Sequence, residues 1–159
     1  MIKYLIMDVD GTLTDGTIYI GEHGEIMKGF NVKDGYGIAN ILPKLNVTPI
    51  ILTGRNSAII YNRCTELKIK EVHTGVKKKL EWLLAFVEKN NVHIENISYI
   101  GDDDNDLECM KFIHENDGLT ACPSDASENI RKTATFHCKK EGGKGAVREF
   151  IDHIETIQN

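Results

Sequence analysis

Four short apolar runs, at residues 4–7, 47–52, 97–100 and 118–122, are spaced along the chain with stretches of helical period between them. Runs of that length read as strands buried on both faces, the habit of strands in a parallel sheet. The intervening stretches 34–42, 56–67, 77–90, 105–114, 125–132 and 145–157 read as helices, several with Asp, Asn or Ser near the first turn as caps. This alternation predicts an α/β fold, a Rossmann-like parallel sheet with helices on both faces.

One segment breaks the alternation. Residues 16–20, a glycine-containing turn at 21–25, and residues 26–30 read as a β-hairpin inserted after the first strand, where a simple repeat would place a helix. The chain has 159 residues, 41% hydrophobic and 27% charged, which suits one domain, 1–159, able to bury a core unaided. The cysteines at 64, 109, 122 and 138 form no CxxC pair, and the six histidines show no metal-ligand spacing. The formal net charge of -5 offers no general attraction for nucleic acid or an anionic membrane. No apolar run approaches a membrane span, and the apolar start is too short for an export signal. No nucleic-acid or membrane partner is therefore expected, and the cytoplasm is the expected compartment. The Gly142-Gly143-Lys144-Gly145 stretch reads as a flexible loop before the last helix.

The residues that carry chemistry follow the strands. Asp8-Val9-Asp10-Gly11-Thr12 comes directly after the first, and Gly101-Asp102-Asp103-Asp104-Asn105-Asp106 directly after 97–100. An open α/β sheet presents side chains to ligands at the carboxyl ends of its strands, so the two loops can meet there as an anionic, all-oxygen nest suited to Mg²⁺. Thr53 and Gly54, ending the strand over 47–52, could donate hydrogen bonds to a phosphoryl oxygen, and the Lys79 ammonium could neutralise one. Each feature has a plainer reading. An aspartate pair after a strand is commonly a turn or helix cap, Lys77 and Lys78 read as a solvated helix face, and Arg55 and Arg63 as surface partners of nearby acids. Together, the two acidic loops and Thr53 outweigh that reading for Asp8 and Asp10.

In this order the residues resemble the four motifs of the haloacid dehalogenase superfamily: DxDGT, a strand-end Thr, a downstream Lys, and GDDxxD. The resemblance implies that Asp8 is a nucleophile forming an aspartyl-phosphate, that Asp10 is the acid and then the base, and that Thr53 and Lys79 hold phosphoryl oxygens. It further implies Mg²⁺ held by Asp8, the backbone carbonyl of Asp10, and Asp102. Asp103 or Asp106 would support the shell, the choice between them being open.

Neither gap between motifs has room for a large cap domain. The hairpin, the stretch from Phe30 to Ile38, Leu52-Thr53-Gly54-Arg55, Arg63-Cys64 and 142–149 resemble the 3-deoxy-D-manno-octulosonate 8-phosphate phosphatases. That family is a capless, homotetrameric branch. The likeness implies a small sugar-phosphate substrate contacted by Asn31, Lys33, Asp34, Gly35, Thr53, Gly54, Arg55, Arg63 and Lys79. It also implies a hairpin and C-terminal tail that reach neighbouring sites, with Ile18, Ile20, Ile26 and Phe30 offering an apolar surface. Phosphatases acting on nine-carbon 2-keto-3-deoxy-nononate or sialic acid 9-phosphates tend to carry Glu in place of Arg55, so Arg55 favours the eight-carbon acid. A phosphoacceptor signalling domain would not place its acceptor in a first-strand DxDGT, and a non-catalytic scaffold would not need Asp10.

Overall fold

The computed structural model describes residues 1–159. In chain order the strands are β1 (Tyr4–Met7), β2 (Tyr19–Gly21), β3 (Gly24–Met27), β4 (Thr48–Leu52), β5 (Glu71–His73), β6 (Ile97–Ile100), β7 (Leu119–Cys122) and β8 (Phe136–His137). The helices are α1 (Val32–Tyr36), α2 (Ala58–Glu66), α3 (Lys79–Asn90), α4 (Asp104–Glu115), α5 (Glu128–Thr133) and α6 (Ala146–Gln158). Six strands form one sheet in the order β5-β4-β1-β6-β7-β8, and every pairing in it is parallel. β2 and β3 form a separate antiparallel hairpin.

Successive side chains in a strand point to opposite faces, so each apolar run feeds two cores. Leu5 and Met7 join Ile51, Ile38, Ile60 and the α6 residues Val147, Phe150, Ile151 and Ile154 on one face. Ile6 joins Ile50, Leu52, Tyr99, Leu83 of α3, Met110 and Ile113 of α4, and Ile130 of α5 on the other. Truncating one of these side chains to Ala would cost about 2–5 kcal/mol.

Two strands of the six-stranded sheet lie outside the four expected runs. β5 and β8 have three and two residues, too few for periodicity to mark them. The helix expected over 34–42 is instead the short α1, a π-helical turn at Gly37–Ile41 and a 3₁₀ turn at Leu42–Leu45. Gly35, Gly37 and Pro43 weaken a regular helix there, and Asn46 closes it in the left-handed conformation.

The Gly142–Gly145 loop differs from the flexible segment expected. Gly143 N–H donates to the Thr12 carbonyl at 3.1 Å and Gly142 N–H to Asp125 Oδ1 at 3.0 Å. A side chain on Gly142 would collide with the backbone of Gly11. The loop is wedged behind the DxDGT segment. No helix is long and apolar enough to cross a membrane.

Candidate active site

Parallel register decides where the loops emerge. Met7 stands opposite both Ile51 and Ile100, so the residues after β1, β4 and β6 leave the sheet along one edge. Backbone bonds extend the ladders one residue further: Asp8 N–H to the Ile100 carbonyl at 3.1 Å, and Thr53 N–H to that of His73 at 3.0 Å. Asp8, Thr53 and the Gly101–Asp102 loop thus share the carboxyl edge near β1, where the connections diverge to either side.

Lys79, the first residue of α3, is buried and donates to Asp8 Oδ1 and to Asp106 Oδ1, both at 2.7 Å. Asp106 lies buried in the first turn of α4. Its Oδ1 also accepts from the Tyr99 hydroxyl at 2.6 Å and its Oδ2 from the Asp102 N–H at 3.1 Å. Asp102 Oδ1 accepts from the Thr12 hydroxyl at 3.1 Å. The carboxylate approaches so closely that only a glycine fits at position 11, where φ is +93°.

These carboxyl groups oppose one another's ionisation. Burial, then the charge of Asp106, pushes Asp8 well above the ordinary carboxylate range, and Lys79 opposes the shift. Burial and Asp106 likewise push Asp102 up to about 6, against the hydrogen bond from the Thr12 hydroxyl. Burial disfavours the Lys79 charge, but Asp8 and Asp106 outweigh it and hold its pKa above the usual value. One ammonium, paired with Asp8 and Asp106, therefore stands against three carboxyl groups, those two and Asp102, whose oxygens lie within 4.8 Å of one another. An all-oxygen set with surplus negative charge fits a hard divalent cation. Both Asp106 oxygens are already engaged, which leaves Asp8 and Asp102 as the carboxylates with capacity for a cation. Asp103 is exposed and caps α4, its side chain accepting from Asp104 N–H at 2.8 Å.

A cleft of about 240 Å³ opens above this cluster, lined by Asp8, Asp10, Thr53, Gly54, Arg55, Val76, Lys77 and Asn105. Lys77 does not lie on a solvated helix face, since it precedes α3 and donates to the Gly54 carbonyl at 2.9 Å. Arg55 is half-exposed at the rim, with Nε 4.0 Å from Asp10 Oδ2.

The other expected substrate contacts do not line this cleft. Asn31, Asp34, Gly35 and Arg63 border a separate small apolar cavity with Phe30 and Leu67. Asn31 caps α1 through Lys33 N–H at 2.8 Å, and Lys33 itself is exposed. Arg63 pairs with Glu66 at 2.7 Å and lies over the Phe30 ring. Asp34 is buried, and its Oδ1 accepts Arg148 N–H at 2.8 Å, capping the first turn of α6 from outside the helix.

Two residues absent from the sequence-based set reach the site from the hairpin. Lys28 pairs with Asp10 and with Glu25, and Glu25 accepts from the Ser57 hydroxyl at 2.7 Å. Their only sequence signal is an acid and a base three apart in a hairpin, which says nothing about which loop they meet.

A parallel sheet whose carboxyl edge gathers Asp8, Asp10, Thr53, Lys79 and the Asp102–Asp106 loop defines a phosphatase of the haloacid dehalogenase superfamily. No family model matches the chain, but full-length relatives do. It is 40% identical over 157 residues to the 3-deoxy-D-manno-octulosonate 8-phosphate phosphatase of Salmonella typhi, spanning 99% of this chain and 81% of the relative. The chain belongs to the 3-deoxy-D-manno-octulosonate 8-phosphate phosphatase family. The crystal structure of the Moraxella catarrhalis enzyme, in complex with a magnesium ion, a phosphate ion and KDO, superposes with a TM-score of 0.91 at 35% identity. That match covers 99% of this chain and 88% of the other. The cobalt-bound form of the Haemophilus influenzae enzyme gives 0.90 at 34% identity, covering 99% and 89%.

Proposed function

We propose that this protein, acting as one domain over 1–159, hydrolyses 3-deoxy-D-manno-octulosonate 8-phosphate to the free sugar acid and phosphate with Mg²⁺ as cofactor. The observation that carries this reading is the meeting of Asp8, Asp10, Thr53 and Lys79 at one strand edge beside Asp102. Family membership and the magnesium-, phosphate- and KDO-bound relative support it.

Asp8 attacks phosphorus and the ester oxygen leaves, taking a proton from Asp10, so that an aspartyl-phosphate forms on Asp8. Water then attacks phosphorus, giving its proton to Asp10 as the bond to Asp8 breaks and phosphate departs. Lys79 and the Thr53 hydroxyl hold equatorial phosphoryl oxygens, because phosphoryl transfer asks mainly for positioning and positive charge. Asp106 keeps Lys79 charged and aimed. Mg²⁺, when bound by Asp8, the Asp10 carbonyl and Asp102, supplies charge that keeps Asp8 ionised and draws in a phosphoryl oxygen. Arg55 at the cleft rim suits the sugar carboxylate.

Asn31, Lys33, Asp34, Gly35 and Arg63 lie off the cleft. Asp34 and Gly35 are buried within this chain, which leaves Lys33, Asn31 and Arg63 as the members of that set open to a substrate in a neighbouring copy. Ile20 and Ile26 of the hairpin are each 64% exposed, whereas Phe30 packs on the core. Two such exposed side chains support assembly through the hairpin into the homotetramer in the cytoplasm, with the hairpin serving neighbouring sites. The expected C-terminal tail does not share that role, because residues 146–158 form α6 and pack Val147, Phe150, Ile151 and Ile154 into this chain's own core. A fully active monomer in sedimentation at assay concentration would rule that assembly out.

The substrate is tested by phosphate release, with and without Mg²⁺, from a panel including the eight-carbon and nine-carbon 2-keto-3-deoxy acid phosphates. Preference for the nine-carbon ester overturns the assignment from Arg55. Full turnover in Asp8→Asn overturns the aspartyl-phosphate route.

A further inference from the structure

Lys28 follows β3 directly, where the hairpin meets Asp10, and only 1% of its side chain is exposed. Burying an ammonium so completely is unfavourable unless it is paired. Its partners are Asp10 Oδ1 and, at 2.9 Å, Glu25 Oε2. Burial works against the Glu25 charge, but the Ser57 hydroxyl, Lys28 and Arg55 outweigh it and hold its carboxyl below the ordinary range. Arg55 Nη2 stands 3.6 Å from the same Glu25 oxygen. The hairpin is thus fastened to the DxDGT loop through Asp10 and to the loop after β4 through Ser57 and Arg55.

The two oxygens of Asp10 are treated differently. Oδ1 is held by Lys28, while Oδ2 is buried with no hydrogen-bond partner. A proton donor needs one oxygen fixed, so that the carboxyl plane is set, and the other free to meet the departing atom. We propose that Lys28, braced by Glu25, is a positioning residue for Asp10: it fixes Oδ1 and aims Oδ2 at the leaving oxygen. The proposal rests on the reading of Asp10 as proton donor. It makes the hairpin part of the catalytic machinery of its own chain, besides any part it takes in assembly.

Leaving-group dependence tests this. An alkoxide leaving from a sugar phosphate needs a proton, whereas 4-nitrophenolate leaves without one. In Lys28→Met, kcat/KM for the sugar phosphate should fall about 10²-fold, the lower end of what general acid catalysis contributes. For 4-nitrophenyl phosphate it should fall less than about threefold, being free of that contribution. Both esters are measured on one preparation, so a partial loss of folded protein cancels in their ratio. Glu25→Gln, which leaves the Lys28 ammonium in place with a weaker brace, should shift the ratio the same way by less, and decides the matter if Lys28→Met does not fold. Lys28→Arg should restore part of the ratio. An equal fall on both esters, or no fall on either, overturns the proposal. Asp10→Asn separates the two layers. If it fails to discriminate the esters, the proton-donor reading itself is wrong; if it discriminates and Lys28→Met does not, only the role of Lys28 is wrong.

Discussion

Gly142→Ala tests whether the C-terminal glycine loop is a fixed support of the DxDGT segment. A Cβ at position 142 would fall inside the contact distance of the Gly11 carbonyl and lie 2.9 Å from the Thr14 carbonyl oxygen. Both obstacles are backbone, so no side chain can swing aside. Relief requires either the glycine loop or the Gly11–Thr14 turn to move, against the bond from Gly143 N–H to the Thr12 carbonyl. Overpacking of this kind costs about 1–3 kcal/mol, and a backbone collision belongs at the upper end. At about 2–4 °C per kcal/mol for a chain of this size, Tm should fall by about 6–12 °C. If the turn carrying Asp8 and Asp10 yields, a displacement of about 1 Å should also cost about 10²-fold in turnover. Gly29→Ala is the matched control, because nothing lies within 4 Å of its Cβ and its φ is not positive. It should be neutral or more stable by about 0.4–1 kcal/mol. Thermal unfolding and phosphate release on the two variants decide the matter. Unchanged Tm and turnover in Gly142→Ala would refute the wedge and restore the flexible loop read from the sequence.

Asp34→Asn should change how stability depends on pH. Burial pushes the Asp34 carboxyl up to about 6, against the hydrogen bond from Arg148 N–H, while in the unfolded chain it titrates near the ordinary value of about 4. The folded state therefore holds the proton longer, and this group's contribution to stability falls as pH rises from about 4 to about 6. The Asn variant keeps an acceptor and loses that dependence, so it should gain on the parent by roughly 2–3 kcal/mol across the window. Urea unfolding at several pH values would show parallel curves if the reasoning is wrong. Mg²⁺ alone should raise Tm, by the equivalent of about 2.7 kcal/mol at a hundredfold excess over its dissociation constant. Asp102→Asn should lose most of that rise, and an equal rise in the variant would remove Asp102 from the cation site.

The sheet was legible because its strands announce themselves twice, as continuous apolar runs and as the residues just before each motif. β1, β4, β6 and β7 fall within one residue of the expected runs. β5 and β8 escaped because a three-residue edge strand carries no period. The main set of candidate site residues was legible for a related reason. Asp8, Thr53 and Asp102 are each within two residues of a strand end, and parallel register carries all such residues to one edge regardless of the distance between them in the chain. Lys79 enters by a different route, at the start of a helix whose position only the packing of α3 fixes.

What sequence could not disclose is what holds those residues. The DxDGT turn is gripped from one side by Lys28 of the hairpin and from the other by Gly142 and Gly143, and neither segment resembles a phosphate-handling motif in isolation. Both contacts are long-range and depend on atoms too small or too ordinary to stand out: a missing Cβ, and an acid-base pair three residues apart. Asp34 makes the same point in reverse. Its place beside Gly35 in a family motif marked it as a substrate contact, yet in a single chain it is buried with one carboxyl oxygen held by the first turn of α6. In a capless domain the work of fixing the DxDGT loop falls to the hairpin and the C-terminal loop, so substitutions there should affect catalysis while touching none of the four motifs.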